Sequence, residues 1–386
     1  MGKQVKTPRF YVDMPTFLHA TGQLGWDSTS KGGAELLYMN CANPFLELET
    51  SSDPNTMFVL GSITNNPPKT SFPINFCALL NHNLASDSNK YNVVGKASLQ
   101  LNQDGTPEFG EGFSGDSFTN RKIVLNYDGT NGINAEFNGT TIWTFSDEDG
   151  MNKYWRSFNL FFPDGFDNYT HQLGSFVVGK YFDCPNSPDL NLTMSRRFDG
   201  IKRQKTVGGK TLANIYYDGP TEWTMNGPDG TYKYPPFELD LPTTDGGTEL
   251  GFNMRAKSGL GRKGLRSWKL TFSYISEDDI WTAYENSSIS PFIPDQTGFD
   301  ATTNTDVPLD NGNSVASNPS PMLSDNSFNF VWNCTLGGTL PFIFQPDNTN
   351  NNPDQFSICN FRENSLSVQQ VAFNTYKVSM TIDEIA

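Results

Sequence analysis

Apolar and polar residues alternate along much of the chain, the spacing of strands that bury one face. The pattern predicts strands at Lys96–Leu101, Lys122–Tyr127, Gly132–Phe137 and Thr140–Phe145, then at Tyr154–Phe162 and Leu173–Phe182. A second series runs through Leu190–Arg196, Thr211–Tyr217, Phe237–Leu241 and Arg266–Ile275. Strands are expected again at Phe328–Trp332, Leu340–Phe344, Leu366–Phe373 and Tyr376–Ile382. Asn138-Gly139 reads as a two-residue hairpin turn in the first series. One short helix is predicted near Met14–Thr21. Residues 276–326 break the rhythm: polar and proline-punctuated, they are too long for an ordinary connection and read as an arm that orders against a neighbour.

These elements predict an all-β chain of two β-sandwich domains with a long polar loop or arm. Residues 1–184 form the first domain, 185–275 with 327–386 the second, and 276–326 the arm. Composition fits, with 34 Gly and 24 Pro for turns and 13% aromatic residues for the cores. The net charge of −15 conceals an asymmetry: residues 190–270 carry +5 and the remainder −20. So acidic a chain is no nucleic-acid wrapper, which needs Lys and Arg against phosphate. The basic block reads either as a solvated face or as a contact for an acidic neighbour, a second copy of this chain included. Its candidate inter-subunit contacts are Arg196, Arg197, Lys202, Arg203, Arg262, Lys263 and Arg266.

Signatures of chemistry are weak. Gly259, Gly261 and Gly264 have dinucleotide-loop spacing, but a strand pattern follows where a phosphate site needs a helix. His19, His82 and His171 lie far apart, and no nucleophile elbow or paired-cysteine metal spacing occurs. Asp147-Glu148-Asp149-Gly150 lacks the bidentate glutamate of a calcium loop and reads as a solvated turn. Cys41, Cys77, Cys184, Cys334 and Cys359, odd in number and scattered, read as reduced thilos of a protein assembled in a cytoplasm. No secretion signal and no membrane span are expected. The expectation is a non-enzyme with no cofactor and no metal.

Residues 154–182 (YWRSFNLFFPDGFDNYTHQLGSFVVGKYF) resemble the closing strands of a discoidin or galactose-binding-like jelly roll, a likeness covering residues 60–184. It implies carbohydrate binding as one function, an adhesion module reading host-surface glycan. Trp143, Tyr154, Trp155 and Tyr169 are the rings that would stack on a sugar, against a bland reading as core residues. SPDLNLTMSRRFDGIKRQKTVGGKTL, GLRSWKLTFSYISEDDIW and the segment from Leu336 to Ile385 resemble tail-tip or baseplate proteins of tailed bacteriophages, of the distal-tail type. That resemblance covers most of 187–386. It implies a strand bearing R-x-x-D-G paired with a W-x-L-x-F strand, and a homo-oligomeric ring, a hexamer, contacting tube, hub and fibre proteins in the virion. One departure is order: the jelly roll comes first here. Residues 1–13 are then expected to cross over and complete the sheet of the second half.

Overall fold

Runs that do not alternate make the middle of the molecule. In RFYVD, FCALL and FIFQ neighbouring residues are apolar, as in strands covered on both faces. A computed structural model describes residues 5–26, 33–39, 46–48, 57–63, 72–80, 84–85, 93–94, 97–102, 120–125, 132–135, 140–145, 154–155, 157–161, 171–197, 201–215, 225–226, 233–234, 265–281, 299–300, 305–306, 327–351 and 355–385.

The fold is all-β. Its principal strands in the first half are β1 (Arg9–Asp13), β2 (Leu24–Trp26), β3 (Met57–Ile63), β4 (Phe76–Leu80), β5 (Ala97–Asn102), β6 (Asn120–Leu125), β7 (Gly132–Ala135), β8 (Thr140–Thr144), β9 (Ser157–Phe161) and β10 (Ser175–Asp183). Then come β11 (Thr193–Arg197), β12 (Ile201–Lys205), β13 (Thr211–Ile215), β14 (Leu265–Ile275), β15 (Phe342–Gln345), β16 (Ser357–Phe361), β17 (Ser367–Ala372) and β18 (Thr375–Glu384). An 11-stranded antiparallel sheet has the order β7-β8-β4-β10-β1-β15-β16-β18-β14-β11, with β17 also beside β18. A 5-stranded sheet, β6-β5-β9-β3-β2, packs on it where Phe158 meets Phe176 with ring centroids 5.8 Å apart.

β1 is the seam. Phe10 faces Phe182 of β10 on one side and Phe344 of β15 on the other. The N-terminal strand thus crosses into the second half, and the large sheet runs unbroken past the boundary expected at residue 184. One face of the seam buries Phe10, Val12, Phe176, Val178, Phe182, Phe342 and Phe344. The other buries Tyr11, Val177, Ile343 and Ile358. Gly179 permits the close approach of β1 and β10: a Cβ there would lie 2.2 Å from the Val12 carbonyl oxygen.

The helix α1 (Met14–Ala20) forms as predicted, capped by Asp13, whose carboxylate accepts from the N–H and hydroxyl of Thr16. Among the described residues the other α-helices are α2 (Glu277–Ile280) and α3 (Phe328–Cys334). The strand expected at Phe328–Trp332 is therefore α3. Ser327 caps it, accepting from Phe330 N–H at 3.2 Å. The chain leaves it through Leu336, Gly337 and Gly338, all in the left-handed region, with Gly337 N–H donating to the Trp332 carbonyl. The head of the expected arm is also corrected. Ser276 caps α2, and Ile280 is buried in the core. Of the rest of the arm, the described residues are Trp281 and a short pairing of Phe299–Asp300 with Thr305–Asp306. The strand expected at Phe237–Leu241, the turn at Asn138-Gly139, the Asp147–Gly150 turn and the Gly259–Gly264 loop lie outside the described residues. Cys77, Cys184, Cys334 and Cys359 are free thiols, all buried; Cys41 is outside the described residues.

Candidate interaction surface

The two ends of the basic block, β11 and β14, form the outer flank of the large sheet. Trp268, Leu270 and Phe272 of β14 point to the core at period two, while β18 pairs along one edge of β14 and leaves the other for β11. β11 takes that edge, with Thr193 facing Lys269 and Arg197 facing Leu265, and all five of its residues are exposed. The R-x-x-D-G strand therefore pairs with the W-x-L-x-F strand.

Past β11 the chain leaves the sheet. β12 and β13 form a hairpin of their own, Arg203 opposite Ala213 and Lys205 opposite Thr211. Thr206 and Lys210 close the turn: Thr206 N–H donates to the Lys210 carbonyl at 2.8 Å, and Gly209 takes a φ of 80°. Among the described residues every hydrogen bond of this hairpin is internal. Arg203, Lys205 and Lys210 are exposed, as are Val207 and Leu212. A lone two-stranded hairpin is at best marginally stable in water, so an arm of this kind gains from a surface to rest on.

The predicted contact residues divide. Arg196 and Arg197 lie on exposed β11 and Arg203 on the arm. Lys202 is on β12 with its side chain outside the described set, and Arg262 and Lys263 are outside it altogether. Arg266 is corrected: its guanidinium serves its own chain. Nε donates to Glu384 Oε2 at 3.0 Å and Nη2 to Oε1 at 2.8 Å, while Nη2 also reaches the Phe356 carbonyl and Ser357 hydroxyl. The group stacks over Trp268 at 5.2 Å. With its donors so engaged, Arg266 is a clamp between β14 and β18. Beside it Arg362 grips Asp383 with two hydrogen bonds of 2.8 and 2.7 Å. Partial burial opposes ionisation of Asp383, but the bonds from Arg362 and Ser267 and the charges of Arg362 and Arg197 hold its pKa below the usual carboxylate value. Lys205 and Lys210 were not among the predicted contacts. Their place on the same hairpin, on either side of the Gly208-Gly209 turn, was the available signal.

Two of the four predicted sugar-stacking rings are corrected as well. Trp143 on β8 and Trp155, paired opposite Phe72, are buried in the core, and a ring with no open face cannot stack on a sugar. Tyr154 lies in the same short strand with its side chain undescribed, and Tyr169 is outside the described residues. Among the described residues no three His, Cys, Asp or Glu gather as metal ligands, and no helix is long and apolar enough to cross a membrane. His19 instead meets the Tyr38 hydroxyl through Nδ1 at 3.1 Å. Compared with known protein families, with curated proteins and with solved structures, the chain has no match in any of the three.

Proposed function

We propose that this chain is a non-enzymatic structural subunit of a virion, assembled in the host cytoplasm. Its copies form a homo-oligomeric ring at the distal end of a phage tail, linking the tail tube to hub or fibre proteins. The viral part of this reading rests on the resemblance of residues 187–386 to distal-tail proteins. The observation that supports self-assembly is the exposed cationic hairpin β12–β13, carried on a chain that is otherwise strongly acidic. A charged arm standing off its own core fits complementary docking on an acidic copy, and a heterologous contact of that kind closes into a ring when its rotation allows.

The experiment is electron microscopy of the purified protein, with antibody labelling of virions. Rings in the first and label at the tail's far end in the second are expected. A monomer at every concentration, together with unlabelled virions, overturns the proposal.

A further inference from the structure

We infer that the outer edge of β17, with Phe373 and Tyr274 at its end, is the socket that receives the β12–β13 arm of a second copy of this chain. The inference rests on the self-assembly just proposed and names the surface that assembly uses.

Among the described residues β17 pairs with β18 alone, so its other edge presents unpaired backbone donors and acceptors. Its sequence, SVQQVA, is uncharged, and all but Val368 are exposed. Free edges are ordinarily blunted by lysine, proline or an inward charge, because they recruit other strands. β11, at the far end of the same sheet, carries Arg196 and Arg197. β17 carries no such guard.

The end of this edge is apolar and strained. Val371 is 52% exposed, Phe373 96% and Tyr274 84%. They share one end of the sheet: Gln370 faces Tyr376 from one side and Ile275 faces it from the other. The pairing of β14 with β18 slips between Phe272 and Ile275, and the bulge turns Tyr274 outward. Tyr274 and Asn374 both sit in the left-handed region, at φ 61° and 48°. A bulky residue there is an outlier, and such outliers gather where a surface does something.

Charge names the occupant. Glu277 and Asp278 are exposed immediately beyond Tyr274, with the Glu277 N–H donating to Asn374 Oδ1 at 3.0 Å. An apolar edge with an acidic rim is the complement of a hairpin that exposes Arg203, Lys205 and Lys210 beside Val207 and Leu212. Among the described residues both strands of the arm have an unpaired outer edge, so the arm can extend the neighbour's sheet by adding a strand to β17. β11, after which the arm follows in the chain, and β17 lie on opposite sides of the β14–β18 pair, so a contact between arm and socket repeats head to tail, as a ring requires.

The test mixes a Val207→Cys chain with a Phe373→Cys chain under mild oxidation, and separately weighs a Val371→Lys/Phe373→Lys double variant by light scattering. The expected results are a disulfide-linked pair in the mixture that neither chain forms alone, and a double variant that stays monomeric with an unchanged circular dichroism spectrum. If wild type assembles while the mixture gives no cross-link and the double variant assembles normally, the socket is wrong and the ring survives. If wild type stays monomeric, the self-assembly reading fails and the socket with it. If wild type stays monomeric but an Arg203→Glu/Lys205→Glu variant loses binding to heparin, the arm serves a polyanion and the inference is overturned.

Discussion

β1 and β12 are each five residues long and each sits in an antiparallel ladder, yet one is gripped and the other stands free. β1 has ladders on both sides and buried aromatics above and below. Phe10 packs on Phe342 at 5.5 Å and Phe344 at 5.2 Å, while Tyr11 packs on Phe76 at 5.0 Å on the opposite face. β12 has one ladder and no core beneath it among the described residues. The difference teaches that a backbone ladder does not by itself anchor a strand here. Net hydrogen-bond gains are small against water, and burial decides. One region is held by burial on both faces, and the other, among the described residues, by its own ladder.

The sharpest way to break that contrast is Phe10→Ala. Loss of a core phenylalanine costs about 3–5 kcal/mol, and since Phe10 touches strands from both halves, urea unfolding should remain a single transition at lower denaturant. Two separate transitions would show that the halves do not share their core.

A second prediction contrasts the pH responses of the two regions. Burial pushes Asp13 up to about 7 from 3.8, against the hydrogen bonds from Thr16 that favour its ionised form. An acid whose folded pKa is raised takes up a proton on folding. Its stabilising contribution is complete below about pH 4, declines as pH rises toward 7 and is flat above. The steepest decline is about 1.4 kcal/mol per pH unit. Asp13→Asn keeps the helix cap and should flatten that slope in urea titrations from pH 4 to 8. Asp383 on the outer flank runs the other way: its pKa is lowered, so its contribution is present above the ordinary carboxylate value and is lost on acidification below it. The acid-side loss should therefore persist in Asp13→Asn.

Two arginines of the basic block separate clamp from contact. Arg266→Ala removes charge-assisted bonds to Glu384 and should cost roughly 1.5–3 kcal/mol in thermal or chemical denaturation. The smallest expected effect on stability is that of Arg203→Ala, within about 0.5 kcal/mol as for other exposed positions, while its apparent particle mass at low salt falls. Equal stability losses at the two positions would erase the distinction.

Much of the outer sheet was legible in the sequence because a strand with one wet face alternates. Arg266–Ile275 and Tyr376–Ile382 were expected within a few residues of β14 and β18. β4 was not expected, because FCALL is covered on both faces and carries no period. In FNFVWNC the alternating aromatics outweighed the Ser327 cap and the two glycines that mark α3 as a helix. For the site, charge counting located the flank and the arm. It could not tell Arg266 from Arg203, because the partner that claims Arg266 is 118 residues away. The exposure of Tyr274 and Phe373 escaped because both lie in strand-like patterns, and only a backbone bulge and a turn put them outside.

The seam at β1 also sets a clock. Tyr11 donates its hydroxyl to Gln345 at 2.8 Å, a partner 334 residues further along. At synthesis rates of roughly 5–20 residues per second, that partner emerges on the order of half a minute later. Until then Phe10 and Tyr11 have β10 on one side at most, and the other edge is open to any passing strand. β1 is thus made long before its second edge can be closed, so a ribosome that stalls before residue 342 leaves a product that cannot hide its seam.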